Sequence, residues 1–558
     1  MIVFVSALLL AISWIIPEHF PPWISWHNEI FAFTAVLWLG ASGLYNYYKQ
    51  KTYQIKVPVV SWVLVFLFAL VCIQFAMGYF DFLGRALVIA FYLLLSLVAL
   101  ICGYQIVPDA LPNRRNAVDY FAIVLVIGSV VSATIALAQV LDIWDEVRLI
   151  SRMGSGRRPG GNINQPNQLA TLILMGLASL VYLFEYKQLQ RESTGLICFL
   201  LMLGLSVTES RTGLLSFFAM ALWWCARRRT IASRLTLGAV TGGSAMLTVV
   251  FLCWPQIYAA IQMGGPPGAI STSGGTRLIV WPQLWEAALQ HPWFGWGLGA
   301  VSKAHNAVID GYTQGEPFTY AHNVVLDLVV GVGLPIAALF AGAAGWWVWR
   351  RVRAAKQLVP WYCLALILPF GVHSMMEFPF AYSYLLVPAV FAIGILESAL
   401  APASFLKVGW LPATAIFVSF SVLMGLSVKE YLSAAEDFRV ARFEVLRVGV
   451  TPVTYVRPQI QLLTQLDALS LSTRIRPVPG MSASQVELMR KVAIHFPSIA
   501  TQKRYAYCLA LNGNPDEAVR QLIVMRAMYP KKYYVKIKAE WEDLAQNTYP
   551  QLPKLNLP

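Results

Sequence analysis

Residues 58–77 read PVVSWVLVFLFALVCIQFAM, twenty residues without a charge. A helix needs about 20 apolar residues to cross the ~30 Å hydrocarbon core of a bilayer. Comparable runs lie near 2–16, 30–47, 84–104, 118–140, 167–184, 195–208, 212–226, 235–254, 322–349, 358–374, 383–399 and 409–428, about thirteen candidate spans in all. The pattern predicts an all-α polytopic membrane protein. Composition agrees: 58% of the 558 residues are hydrophobic and only 13% are charged, with a mean hydropathy of +0.59, which excludes a soluble globular enzyme.

The net charge of +14 does not point to nucleic acid, because the basic residues fall mostly between apolar runs and read as topology signals. With Met1 in the cytoplasm, Lys49, Lys51 and Lys56, Arg114 and Arg115, Lys187 and Arg191, Arg227 to Arg229, and Arg350, Arg351 and Arg353 all face inward. The exception is Leu141 to Pro166, an outer segment that carries Arg148, Arg152, Arg157 and Arg158 among glycines. It reads either as a solvated loop or as an anion-binding one. The first run lacks a charged n-region and a cleavage site, so it is expected to be retained as a span. The seven cysteines show no close pairing, which supports neither a disulfide framework nor a zinc site.

All seven histidines fall on the outer side under this topology, so acid–base chemistry is expected there. The long outer loop 255–321 mixes Gly264, Gly265, Pro266, Pro267 and Gly268 with Trp281, Trp285, Trp293 and Trp296, a composition suited to the headgroup layer or to a platform for sugar rings. Residues 1–428 form the membrane domain that includes this loop. Residues 429–558 are richer in charge, with apolar residues at helical spacing, and are expected to form a separate outer helical domain. Within it, Tyr507 to Gly513 followed by Glu517, Ala518, Leu522 and Tyr529-Pro530 matches one tetratricopeptide-like helix pair.

Several polar groups stand at outer span boundaries. Arg211 and Arg277 oppose the positive-inside trend, and their forked donors match phosphate oxygens; snorkelling or pairing, as of Arg211 with Glu209, is the structural alternative. His322-Asn323 opens a span, where a helix N-terminus keeps an imidazole neutral and able to accept a proton; an interfacial histidine bonded to water is the alternative. His373 and Glu377 are four apart and share a face if helical, with Glu377 orienting a base, acting as one, or bonding His373. Neither the spacing of these two residues nor any acidic cluster suits zinc or magnesium, so no metal and no cofactor is expected.

Arg211, Arg277 and His322, in that order, resemble the O-antigen ligase and polymerase superfamily of bacterial inner-membrane glycosyltransferases. Gly160-Gly161-Asn162-Ile163-Asn164-Gln165-Pro166-Asn167-Gln168-Leu169-Ala170, the Trp281 to Gly299 stretch, Tyr320-Ala321-His322-Asn323 and His373 to Pro379 look most like its protein O-oligosaccharyltransferases, the pilin-glycosylation branch. The similarity covers roughly residues 150–400. A ligase pattern of His-Asn, nine residues, Gly, two residues, then Gly, Thr or Tyr is met through Gly333 but ends in Ile336.

The resemblance implies a periplasmic active site that moves a glycan from undecaprenyl pyrophosphate to Ser or Thr of a pilin-like protein. Arg277 and Arg211 would hold the pyrophosphate and His322 would orient or deprotonate the acceptor hydroxyl. Arg157 and Arg158 would assist, Gln165, Asn167 and Asn323 would bond sugar or acceptor backbone, and His373 and Glu377 would complete the substrate site. A sugar hydroxyl as acceptor, for O-antigen ligation or polymerisation, is the alternative within this chemistry. A glycan flippase or transporter is the alternative outside it, but would carry ionisable groups at mid-membrane, where Asp327 is the main carboxylate, and internal repeats.

Overall fold

The computed structural model describes residues 2–552 apart from 52–53, 107–115, 144–147, 154–157, 187, 232, 262–274, 276 and 401–404. Arg114, Arg115, Arg157, Lys187 and Gly264 to Gly268 therefore lie outside the described residues. The fold is mostly helical, and seven helices among the described residues are long and apolar enough to cross a membrane: Trp26–Lys49, Leu83–Tyr104, Ala117–Leu141, Pro166–Glu185, Leu237–Ile261, Ser383–Leu400 and Trp410–Leu446. The chain is thus a multi-pass membrane protein. Helices at the other expected spans are shorter or broken, as in Ser61–Ala76 and Leu358–Ser374.

Two departures from expectation have local causes. The fold is not purely helical, since β1 (Gln54–Pro58) pairs antiparallel with β2 (Phe405–Gly409). These five-residue stretches are too short to show a period of their own. The span expected over 322–349 is two helices, Val324–Val332 and Leu334–Ala354. Gly333 breaks it at φ +80, where a Cβ would lie 2.5 Å from the Trp293 backbone. The break frees carbonyls that find new donors, with Trp296 N–H bonding Val330 O (2.7 Å) and Gly297 N–H bonding Gly331 O (3.2 Å).

The chain divides into two compact units, the first Met1–Phe68, Phe91–Thr272 and Gly345–Ser421, the second Ala69–Ala90, Ser273–Ala344 and Val422–Pro558. At the centre of the first stands Pro166–Glu185, whose residues from Leu169 to Leu174 are all buried, as expected of a helix surrounded on every side. Pro166 sits in its first turn, and the Gln165 side chain caps it by accepting from Gln168 N–H (2.7 Å). The preceding loop folds tightly on Gly160, where a Cβ would meet Gln165 N at 2.2 Å. Asn162 locks that loop by accepting from Ser151 N–H (2.9 Å) and donating to Leu149 O (2.8 Å).

In the second unit the tail helices Ala483–His495, Ile499–Leu511 and Pro515–Met528 pack in succession, and the first of them meets the helix Val301–Val308. Arg520 joins them by donating to Asp310 (2.9 Å) and to Asn306 O (2.6 Å). The helix pair expected around Tyr507 to Tyr529 is present as Ile499–Leu511 and Pro515–Met528, with Trp541 stacked on Tyr507. The helix of the last expected span runs unbroken from Trp410 to Leu446.

His305 is fully buried in this unit, paired through Nε2 with Gln283 Oε1 (2.8 Å), and burial pushes its imidazole down to about 4. Burial likewise lowers His495 to about 3. Unfolded histidines take up protons near pH 6.5, so this contribution is complete above that pH and is lost as pH falls toward the folded values. For His305 the loss at pH 5 is about 2 kcal/mol. Thermal melting of the solubilised full-length protein should therefore drop between pH 7 and 5, and His305→Gln should make that drop smaller by roughly half, His495 supplying the rest.

Candidate functional site

In the first unit the polar groups collect around one amide. Asn167, in the first turn of the central helix, accepts through Oδ1 from Arg158 Nη2 (3.2 Å) and Ser210 Oγ (2.8 Å) and donates through Nδ2 to Glu377 Oε1 (3.1 Å). Arg158 Nε also donates to Thr208 O (3.0 Å). One turn along the same helix, Thr171 Oγ1 pairs with His373 Nδ1 at 2.8 Å. His373 and Glu377 are both buried. Their shared helical face is not realised, because the helix Leu358–Ser374 ends before Glu377, and each side chain reaches the central helix.

Ser210 joins Arg211 to this cluster. Its hydroxyl caps the helix Arg211–Arg227 by accepting from Gly213 N–H (3.0 Å), which leaves the exposed Arg211 in the first turn. Helix N-termini carry partial positive charge, so the guanidinium and the helix end reinforce one another. Two arginines and a helix N-terminus, beside the buried carboxylates Glu377 and Glu209, can meet an anion with several oxygens.

In the second unit the expected residues gather around a tight turn. Arg277 opens the helix Arg277–Gln290, and one turn on Trp281 donates from Nε1 to Ala321 O (2.8 Å), tying that helix to the residue before His322. His322 has φ +56, a left-handed conformation that costs a residue with a Cβ and persists where the surroundings hold it. Asn323 holds it from one side by capping Val324–Val332, its Oδ1 accepting from Val325 N–H (3.0 Å) and Leu326 N–H (3.1 Å). Asp327 holds it from the other, accepting through Oδ1 from Ala321 N–H (3.1 Å). The imidazole stacks on Phe318 at 4.5 Å between centroids.

Asp327 Oδ2 is buried and has no hydrogen-bond partner among the described residues. Arg85 belongs to the same unit; its guanidinium lies over the Tyr320 ring at 5.6 Å and 3.5 Å from Gly299 O, and among the described residues its buried Nε has no hydrogen-bond partner. Sequence reading passed over Arg85, although it carries the signal that singled out Arg211 and Arg277, an arginine at the outer end of a span. Thr171 gave no such signal, since small hydroxyls recur throughout apolar helices.

Of the expected residues, Arg158, Asn167, Arg211, His373 and Glu377 thus assemble in the first unit, and Arg277, His322 and Asn323 in the second. The side-chain oxygens of Gln165 and Asn323 cap helices. No group of three or more His, Cys, Asp or Glu placed to hold a metal ion occurs among the described residues.

Comparison with known proteins adds to this geometry. Residues 196–341 match the family described as O-antigen ligase, residues 159–184 that described as protein glycosylation ligase, and residues 361–543 that described as virulence factor membrane-bound polymerase, C-terminal. The chain is 24% identical over 544 residues to a general O-oligosaccharyltransferase of Acinetobacter baylyi, covering 96% of this chain and 93% of that protein. It is 26% identical over 376 residues to a ComP-specific O-oligosaccharyltransferase of the same organism, covering 67% and 66%. The resemblance read from the motifs is borne out.

Because Asn167 serves three polar partners, replacing it with leucine leaves a buried carboxylate without one donor and two donors without their acceptor. We expect Asn167→Leu to destabilise the protein by about 2–3 kcal/mol and Thr171→Val by about 1 kcal/mol, read as melting temperatures of the purified protein.

Proposed function

We propose that the chain is a protein O-oligosaccharyltransferase that moves a glycan en bloc from undecaprenyl pyrophosphate to Ser or Thr of a periplasmic protein such as pilin. The observation that carries this reading is the likeness to a general O-oligosaccharyltransferase along nearly the whole chain. The held turn at His322 and the guanidinium groups of Arg277 and Arg211 supply chemistry that fits. The enzyme lies in the bacterial inner membrane with its active site on the periplasmic face. Residues 1–428 serve as the membrane domain and residues 429–558 as a periplasmic helical domain with one tetratricopeptide-like pair.

In this reaction the acceptor oxygen attacks the anomeric carbon, the bond from that carbon to the pyrophosphate oxygen breaks, and undecaprenyl pyrophosphate leaves with the bonding electrons. His322 orients the hydroxyl or takes its proton. Arg277 and Arg211 bind pyrophosphate oxygens and stabilise the charge that grows on them. Arg158 and Arg157 assist, and Asn167, Gln165, Asn323, His373 and Glu377 complete the substrate site. Pyrophosphate is a good leaving group, so no metal is needed. The match over 196–341 favours a second reading, in which a sugar hydroxyl replaces Ser or Thr as acceptor.

The test combines purified protein, lipid-linked oligosaccharide and either a pilin-type polypeptide or lipid A core, with each acceptor weighed by mass spectrometry. A mass gain on the polypeptide supports the proposal, and a gain on lipid A core alone replaces it with the second reading. Arg277→Ala and His322→Asn should each lower turnover by about 100-fold or more. Asparagine is the informative replacement for His322 because it tolerates the left-handed backbone there. Wild-type turnover in both variants would remove the site assignment.

A further inference from the structure

The helix Lys531–Asn547 of the tail carries its charges against its own dipole. Lys531 and Lys532 stand in its first turn, where there is no acidic residue, and Glu540, Glu542 and Asp543 follow only in its second half. A helix N-terminus is partly positive and disfavours cations. Lys536 and Lys538 each precede a glutamate by four residues, Glu540 and Glu542, which is the weaker order for a helical pair. Pro530 supplies no side-chain cap. Local rules broken together in this way are expected where a surface serves function.

The cations are also unanswered. The ion pairs nearby join Lys503 to Glu540 (2.6 Å) and Arg520 to Asp310 (2.9 Å) and Glu517 (3.0 Å). Among the described residues none takes in Lys531, Lys532, Lys536, Lys538 or Arg526, which stands in the last turn of Pro515–Met528. Lys531, Lys532 and Lys536 are exposed, and Lys532 lies over the Tyr533 ring at 5.1 Å. Tyr529 and Tyr534, on either side of Pro530, have buried hydroxyls without hydrogen-bond partners among the described residues. Tyr534 is only 7% exposed; burial pushes its phenol up, and Arg526 opposes that shift. Polar groups that the fold leaves unused thus accompany the cations.

Their spread says which kind of anion fits. At 3.6 residues per turn the four lysines fall within one arc of about 160°, opposite Tyr534, Ile537 and Trp541, and from Lys531 to Lys538 the helix advances about 10 Å. That is wider than one phosphate or carboxylate group, so the patch suits charges strung along a chain. A helix lying on a bilayer presents large apolar side chains to it. Here Tyr534, Ile537 and Trp541 are buried in the tail, and only Tyr533 and Val535 are exposed among the lysines. Single apolar side chains between cations match a polypeptide that carries carboxylates.

We propose that the lysine face of Lys531–Asn547, with Arg526 at its border, docks an acidic segment of the polypeptide that accepts the glycan. That this polypeptide is the acceptor rests on the function proposed above; the docking itself does not. Opposite charge across the surface speeds encounter and holds the acceptor without touching the reacting atoms.

The test is fluorescence anisotropy of a labelled polyglutamate peptide with the full-length protein in neutral detergent, beside a polyglutamine peptide. Wild type should bind polyglutamate on the order of ten-fold more tightly, and added salt should erase the difference. Lys531→Gln, Lys532→Gln, Lys536→Gln and Lys538→Gln together should abolish the preference, and arginine at the same positions should keep it. Removing as many charges elsewhere in the tail, by Lys429→Gln, Arg442→Gln, Arg447→Gln and Arg476→Gln, should leave it in place. Equal binding of the two peptides by wild type overturns the proposal. So does a preference that survives the lysine variant, or one lost as fully in the distant variant. Protection of these lysines from acetylation in phosphatidylglycerol nanodiscs without peptide gives the patch to the bilayer and overturns it too. With an acidic acceptor polypeptide the lysine variant should raise KM on the order of ten-fold at unchanged kcat; an unchanged KM overturns the assignment to the acceptor. Transfer to lipid A core alone would remove the function proposed above and leave the peptide binding as measured, so the two failures are distinct.

Discussion

One side-chain amide gathers the polar groups of the candidate site in the first unit. Asn167 opens a largely buried helix, and its oxygen and nitrogen satisfy Arg158, Ser210 and Glu377 together. A buried carboxylate needs donors, and the amide supplies one to Glu377. Ser210 in turn caps the next helix and fixes where Arg211 begins. A guanidinium at a helix start is thus placed by a chain of neutral hydrogen bonds.

The second unit holds its histidine by a different device. His322 occupies a left-handed conformation that an isolated chain rarely adopts, and oxygens of Asn323 and Asp327 pin the backbone on either side of it. Asp327, which hydropathy marked only as a deep carboxylate, is therefore a brace for the turn. Among the described residues neither its second oxygen nor the Nε of Arg85, both buried, has a hydrogen-bond partner, which marks this part of the unit as polar beyond what the fold itself requires.

How much of this was legible in the sequence depends on the range of the interaction. Apolar length is local, and the helix Ala117–Leu141 agrees with the run 118–140 to within a residue at each end. The capped start at Gln165-Pro166 is local too. The break at Gly333 was not visible, because hydropathy averages over a single glycine and carries no backbone angle. The ribbon pairs residues at the two ends of the membrane segment, so neither strand announces the other. Asn167 and Glu377 were both named as site residues, but 210 positions separate them and nothing in either neighbourhood tells that they bond. Arg85 was readable by the charge rule and was missed for want of a second motif beside it.

The break in the helix at Gly333 constrains the chain in a way that sequence variation should display. Trp296 and Gly297 donate to carbonyls released by the break, Leu334 N–H returns to Pro292 O, and Gln74 bonds both Gly331 O and Leu298 N–H. Residues 292–298 are therefore matched to 330–334 peptide by peptide, as strands are matched by register. One inserted or deleted residue would slip every pairing at once. A stretch that looks like an ordinary connection should thus vary in side chains across species yet keep its length.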